Sequence, residues 1–537
     1  MDIKLSIFLL LLVFAFQFKI DTTNKFILDK FGRHTVFHGV NVVVKLPPYI
    51  PKTDAFDPLF SLSDEDITYM KNMGFNLVRL GIIWESVERK EGEYDYDYLS
   101  KMKEIVNKLG ENGIYSIIDA HQDVFARNFC GEGVPAFYTE KIGYQKKCNS
   151  SAIAYILGLV KVCKPMSSFE FRYDEDGLPL IEDCKKKNFV EYHFTPEMTS
   201  AYLSFYENKY NIQDKFAEFW KVVAKTFKGN DYVIGYDISN EPFPGGLWDN
   251  LKHLIPGEAD MSQLLPVYAK VDAAIREIDP NYILFFENMP FPDFLPLFGG
   301  LILGKFTKRP AGELNPQVYN VHNYCCLSGP NVCSGPEPDL KSAKTRCPKY
   351  HNKKIKKNLE DADELQVPLI ISEFGACSDS EACYNEILGV VKAAEPNFVS
   401  WAYWMYKPFG DHTTSAIALV EKEGLFNVNG TIQDIKEKSL SRAYVQYYQG
   451  HPIDFNYVND DTDFETSFTL DTSIPSVTRL YFNHNLFYKN GYAITIVNDV
   501  TKEEIKAEIV EVDNNYIDIK IDQALNGETI RIKFNAL

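Results

Sequence analysis

Eight apolar runs, each followed by a stretch with helical character, constrain this chain more than any other feature. They are Val36–Val44, Asn76–Ile83, Tyr115–His121, Val233–Asn240, Tyr282–Asn288, Gln317–Tyr324, Pro368–Phe374 and Phe398–Tyr403. Their near-continuous apolar character is that of strands covered on both faces. Helix-like segments lie between them, among them Asp64–Met73, Tyr98–Asn112, Gln213–Phe227 and Leu264–Glu277. Ser63 with Asp66 reads as an N-cap opening the first. Eight strand-then-helix units predict an α/β fold, a (β/α)8 or TIM barrel. An open doubly wound sheet is the alternative, but no glycine-rich phosphate loop follows the first run.

The ends of these runs collect costly polar groups. Lys45 follows the first and Arg79 stands in the second. The third ends in Asp119-Ala-His121-Gln-Asp123, and the fourth in Asn240-Glu241-Pro242. Glu287 and Asn288 close the fifth, His322 to Tyr324 the sixth, Ser372-Glu373-Phe-Gly375 the seventh, and Trp401 to Tyr406 the eighth. In a barrel the carboxyl ends of the strands form the active-site face. A purely structural chain has little reason to gather such groups there.

Two flanking regions differ in character. Lys4 and the apolar run to Phe16 have the length of a signal-peptide core and are too short for a membrane span, so residues 1–19 are read as a secretory leader. After about residue 450, short alternating runs such as Arg479–Phe482, Tyr492–Val497, Ala507–Val512, Tyr516–Ile521 and Thr529–Phe534 are separated by turn signals. They predict a small antiparallel sandwich over 451–537, leaving 20–450 for the barrel. The Asp460-Asp461-Thr-Asp463 cluster does not match a calcium loop.

Charge and cysteine usage narrow the function. The net charge of −18 argues against nucleic acid and against anionic membranes as charge-driven partners. No apolar run reaches the roughly 18–20 residues of a membrane span. The ten cysteines all lie between Cys130 and Cys383, in stretches read as loops. That pattern predicts disulfides in an oxidising compartment, with Cys377 and Cys383 pairing locally and the other partners open. Sequons at Asn149 and Asn429 fit the same secretory or endolysosomal route. Zinc is the rival reading, but no C-x-x-C pair exists; no H-E-x-x-H exists either, so no metal and no cofactor are expected.

The carboxylates Glu241 and Glu373 lead the chemistry. A closed barrel brings their two strand ends together, and glycoside hydrolysis needs two carboxyl groups flanking the sugar bond. His121 and His322 are candidates to orient or protonate, and Trp404 or Trp401 to stack on a sugar face. A Ser–His–Asp hydrolase is poorly supported, because G-x-S-x-G is absent. The stretch Phe291–Phe306 follows the fifth strand and is unusually apolar. Phe291, Phe294, Leu297 and Phe298 are its candidates for lipid contact, with a helix docked on the barrel as the alternative.

Together Arg79, Asn240-Glu241-Pro242, His322, Tyr324, Glu373 and Trp404 resemble glycoside hydrolase family 5, retaining (β/α)8 hydrolases. Within it, Gly39 to Tyr49 with Lys45, His121-Gln-Asp123 and the added C-terminal sandwich are most similar to the endoglycoceramidases. The resemblance implies Glu241 as general acid/base and Glu373 as nucleophile. It implies Asn240, Tyr324 and His322 around the reacting centre, with Lys45, Asp123 and His121 on the glycan. The substrate it implies is a glycosphingolipid, cut between the reducing-end glucose of the oligosaccharide head group and the ceramide, with transient contact to lipid surfaces. A glucosylceramide hydrolase, a β-glucanase and an inactive carbohydrate- or lipid-binding barrel are the alternatives. The cysteine-containing insert, roughly 125–195, has no counterpart in that family pattern.

Overall fold

The computed structural model describes residues 17–144, 148, 163–290, 305–328, 337–414, 422–459 and 462–537. Eight parallel strands close into a barrel: His38–Val42, Leu77–Ile82, Tyr115–Ala120, Val233–Asp237, Ile283–Phe286, Gln317–His322, Leu369–Glu373 and Ser400–Tyr403. They pair in chain order, and the eighth returns to the first through Trp401 opposite His38, Ala402 opposite Gly39 and Tyr403 opposite Val40. Each expected run contains one of these strands. The runs were readable because both faces are covered, one by the barrel interior and one by helices. At Gly39 a Cβ would meet the carbonyl oxygen of Leu77 at 2.2 Å, so only glycine lets the first two strands approach this closely.

The four expected helices are Asp64–Asn72, Tyr96–Glu111, Ile212–Phe227 and Leu265–Arg276. Ser63 and Asp66 form a full capping box at the first, as their spacing predicts.

The C-terminal layer is an antiparallel sandwich, and it is larger than the sequence indicates. One sheet orders Gly450–Tyr457, Phe464–Leu470, Thr529–Ala536 and Tyr492–Asn498. The other orders Phe18–Asp21, Phe26–Asp29, His34–Thr35, Tyr444–Tyr448, Thr478–Tyr481, Tyr516–Lys520 and Glu508–Asp513. Between them lies an apolar core that includes Phe464, Phe468, Leu480, Ile517, Ile530 and Phe534.

Two expected boundaries fall within strands of this sandwich. The division at 450/451 falls inside the strand Gly450–Tyr457, and Tyr444–Tyr448 before it already pairs with Thr478–Tyr481. The expected leader lies outside the described residues up to residue 16. Its last two residues, Phe18 and Lys19, stand opposite Asp29 and Leu28 in a strand pair.

Barrel and sandwich meet at the end of the first helix. Tyr444, Tyr481 and Tyr516 donate their hydroxyls to the carbonyls of Gly74, Asn72 and Lys71 at 2.7, 2.7 and 3.1 Å. A helix leaves its last carbonyls without intrahelical partners, and here the second layer supplies them.

Four disulfides join described residues: Cys130–Cys184, Cys148–Cys163, Cys325–Cys347 and the expected local pair Cys377–Cys383. The first two cross-link the insert after the third strand. Among the described residues no helix is long and apolar enough to cross a membrane. Asn429 is exposed; Asn149 and the Asp460-Asp461 pair lie outside the described residues.

Candidate functional site

The carboxyl ends of the strands converge as a barrel requires. Glu373 is the last residue of the seventh strand, and Glu241 stands four residues beyond the end of the fourth. One carboxylate oxygen of each, with a ring nitrogen of His322, lie within 4.8 Å of one another. Nδ1 of His322 is 2.7 Å from Oε1 of Glu241 and 3.7 Å from Oε1 of Glu373. The Tyr324 hydroxyl donates to Oε1 of Glu373 at 2.6 Å.

Arg79 holds this group from below. Its guanidinium is fully buried and donates to Asp237 at 2.9 Å, Asp119 at 3.0 Å, Asn240 at 2.9 Å and Glu373 at 3.4 Å. Arg79 lies beneath the floor of the cleft and is not part of its lining. Its reach fixes both the seventh-strand glutamate and the asparagine beside Glu241. His322 likewise packs behind the cleft wall, with its ring between Glu241 and Glu287.

Glu241 carries local strain. Its φ is +36°, in the left-handed region that non-glycine residues rarely adopt, at a cost on the order of 1–3 kcal/mol. Hydrogen bonds hold the backbone on both sides. Its N–H donates to Oε1 of Glu287 at 2.5 Å, and its carbonyl accepts from Nε2 of Gln122 at 3.1 Å. Tyr202 in turn donates to Oε1 of Gln122 at 2.8 Å.

The environments separate the titrating groups. Burial, and then the negative charge of Asp123, push Glu241 up to about 7. Burial also raises Glu373, with the nearby Arg79 charge opposing it. Burial drives His322 down to about 4, so its imidazole is neutral at ordinary pH. His121 is buried too, but Asp119 and Asp123 outweigh that and bring it to about 8.

A cavity of about 130 Å³ opens over the two glutamates. Lys45, His121, Asp123, Asn240, Glu241, Tyr324, Glu373 and Trp404 line it, all expected site residues. Part of the lining is polar. The Lys45 ammonium stands 2.7 Å from Asp123 and 2.9 Å from Asp411, with Glu132 at 3.7 Å. Those acids hold it well above its ordinary pKa despite burial. His121, Asp123 and Glu132 come within metal-ligating distance of one another, but Lys45 already brings positive charge to them. Trp404 stacks on His121 at 5.3 Å, and Lys45 lies 4.8 Å from its ring centroid.

The apolar part of the lining comes from residues that sequence reasoning missed. Phe189, Val190 and Phe194 of the insert, with Phe243 and Pro290, form it. Val190–His193 is a single helical turn, and the Cys130–Cys184 disulfide anchors the segment before it. Only the insert's place after the third strand hinted at this. Phe291, Phe294, Leu297 and Phe298 lie outside the described residues; Pro290, just before them, is on the wall.

A profile described as Cellulase (glycosyl hydrolase family 5) matches residues 47–155 and 175–410. A glycoside hydrolase family 5 C-terminal domain profile matches 442–534. The chain is 29% identical to an endoglycoceramidase of Cyanea nozakii, over 90% of this chain and 88% of that protein. It is 29% identical to an endoglycoceramidase of Hydra vulgaris, over 89% and 83%. Endo-glycoceramidase II from Rhodococcus sp., solved in a ganglioside GM3 complex, superposes with a TM-score of 0.68 at 19% identity, covering 95% of this chain and 99% of that one.

Proposed function

We propose, from the premise that the chain belongs to glycosyl hydrolase family 5, that it is a retaining endo-β-glycosidase of glycosphingolipids. It cuts between the reducing-end glucose of the oligosaccharide and the ceramide. The observation that carries the chemistry is the approach of Glu241 and Glu373 oxygens to within 4.8 Å. Retaining enzymes hold their two carboxyl groups about 5–5.5 Å apart, and inverting ones about 6.5–9.5 Å to admit a water.

In this reading Glu373 attacks the anomeric carbon while Glu241, protonated because it titrates near 7, gives its proton to the departing ceramide oxygen. Water then adds to the anomeric carbon, Glu241 takes its proton, and the bond to Glu373 breaks with overall retention. Tyr324 steadies the attacking carboxylate, and Asn240, fixed by Arg79, meets a sugar hydroxyl. Lys45, His121, Asp123 and Trp404, which line the cavity, meet the glycan.

The ceramide assignment is supported by the apolar wall of Phe189, Val190, Phe194, Phe243 and Pro290, and by the endoglycoceramidase relatives. The disulfides support work outside the cell or in an endolysosomal or digestive lumen, on substrate drawn from a lipid surface.

Incubation with a purified ganglioside tests the proposal. Intact oligosaccharide and free ceramide are expected, with the β-anomer formed first by proton NMR. Glucose release from glucosylceramide without any oligosaccharide from the ganglioside would move the enzyme to the glucosylceramidases. No turnover of either would leave a binding barrel.

A further inference from the structure

Glu287 is buried at the end of the fifth strand and belongs to neither the expected site nor the mechanism above. It makes two separate approaches to the machinery of Glu241. Its Oε1 accepts the backbone N–H of Glu241 at 2.5 Å, where that backbone stands at φ +36°. Its Oε2 is 3.5 Å from Nε2 of His322, whose Nδ1 faces Oε1 of Glu241 at 2.7 Å. The same carboxyl therefore faces the main chain of Glu241 directly and its side chain through one imidazole.

Glu287 is itself held in place. Tyr268 donates its hydroxyl to the carbonyl of Glu287 at 3.0 Å and lies 3.3 Å from its N–H. The next residues are tied down by Asp260, which accepts the N–H of Met289 at 2.7 Å. The anchor is rigid where the acid/base sits in a disfavoured conformation.

We infer that Glu287 is a positioning residue for the acid/base: it holds the Glu241 backbone in its left-handed conformation and fixes the His322 ring against the Glu241 carboxyl. The inference rests on the assignment of Glu241 as acid/base. Burial, then the charge of Asp237, push Glu287 well above the usual carboxylate range, with Arg79 opposing and Glu241 adding to the rise. A neutral carboxyl offers a carbonyl oxygen to one partner and an O–H to the other. Glutamine offers an acceptor and a donor of the same shape, so it should serve in its place.

The chemistry gives a specific signature. A misplaced acid slows departure of a poor leaving group and hardly affects a good one, which needs little protonation. Glu287→Met keeps the volume and removes both contacts; Glu287→Gln keeps both. The expected result for Glu287→Met is a fall in kcat of about a hundredfold on a ganglioside, KM little changed. The fall on a dinitrophenyl lactoside should stay within about threefold. Glu287→Gln should stay within a few-fold of wild type on both.

Equal losses on the two substrates in Glu287→Met would overturn the inference and leave Glu287 a packing residue. So would full ganglioside activity in that variant, or a Glu287→Gln loss as deep as that of Glu287→Met. If Glu287→Met does not fold, Glu287→Gln and Glu287→Asp decide. Asp withdraws the carboxyl from both partners and should lose ganglioside activity selectively, and its failure to do so counts against the role. Failure of the acid/base assignment looks different, because Glu241→Gln would then show no leaving-group selectivity of its own.

Discussion

The hydroxyl of Tyr324 is donated to Glu373 at 2.6 Å, on the same carboxylate that Arg79 reaches from below at 3.4 Å. A hydrogen bond to the charged form favours ionisation, so Tyr324 opposes the burial that raises Glu373. Tyr324→Phe should therefore move the acidic limb of kcat/KM upward by about one pH unit or more. Losing a hydrogen bond to a charged group costs roughly 1.5–3 kcal/mol, and one unit corresponds to about 1.4 kcal/mol. An acidic limb that stays in place would separate that limb from Glu373.

Glu373→Gln keeps the shape of the side chain and removes the attacking oxygen's charge. Turnover should fall by orders of magnitude with an unchanged melting temperature. A folded variant with more than about a tenth of wild-type turnover would take the nucleophile role away from Glu373.

The basic limb belongs to Glu241. It acts as an acid only while protonated, so activity should decline as pH rises through about 7. Below that, activity should hold until Glu373 takes up its own proton. Glu241→Gln should flatten the basic limb in the residual activity, measured on an aryl lactoside with a good leaving group. A basic limb of unchanged position in that variant would have to come from another group.

Lys45 neutralises a buried cluster as well as lining the cavity. Lys45→Met strands Asp123, Asp411 and Glu132 without their cation, and a buried charge left without its partner costs about 3–5 kcal/mol. The variant should melt several degrees lower at pH 8, with a smaller deficit at pH 5, because Glu132, which burial pushes up and Lys45 holds down, is protonated there with or without the lysine. A deficit independent of pH would show that the cluster gains little from Lys45. Kinetic losses in this variant need that thermal control before they are read as lost glycan contacts.

The insert wall gives a substrate-selective test. Phe189 is half-buried on the apolar side of the cavity. Phe189→Ser gives up part of the roughly 1.5–3 kcal/mol that a buried apolar side chain contributes. Activity on a two-chain ceramide substrate should drop about five- to thirtyfold at fixed detergent. Activity on a soluble aryl lactoside should hold, and matching losses on the two would indicate a packing defect.

The barrel was legible because its strands are buried on both faces and leave long apolar runs that no amphipathic helix imitates. Glu241, Glu373 and Tyr324 were legible because a polar group at the end of such a run has few other reasons to be there. The strands Phe18–Asp21 and Phe26–Asp29 were not: they are four residues each, and what makes them strands is a sheet assembled with the far end of the chain. Glu287 stood in view at a strand end, but its value lies in a main-chain contact with Glu241 that no spacing encodes. The partners of Lys45 were hidden for a similar reason, since Glu132 and Asp411 come from irregular segments without periodicity. Phe189 and Phe194 looked like any aromatic residues in a cross-linked loop.

The pairing of His34 and Thr35 with Tyr448 and Tyr447 sets an order on biosynthesis. The strand His34–Thr35 leaves the ribosome well before its partner, which follows on the order of 400 residues later. At about 5–20 residues per second that is a wait of roughly 20–80 s. The first barrel strand waits nearly as long for the eighth. Throughout that interval the nascent chain carries open sheet edges at both layers. The barrel can close once Ser400–Tyr403 has emerged, while the sandwich still awaits Tyr444–Tyr448 and the strands after it, so a ribosome stalled just before residue 444 leaves the second layer open beside a barrel whose eight strands are all made.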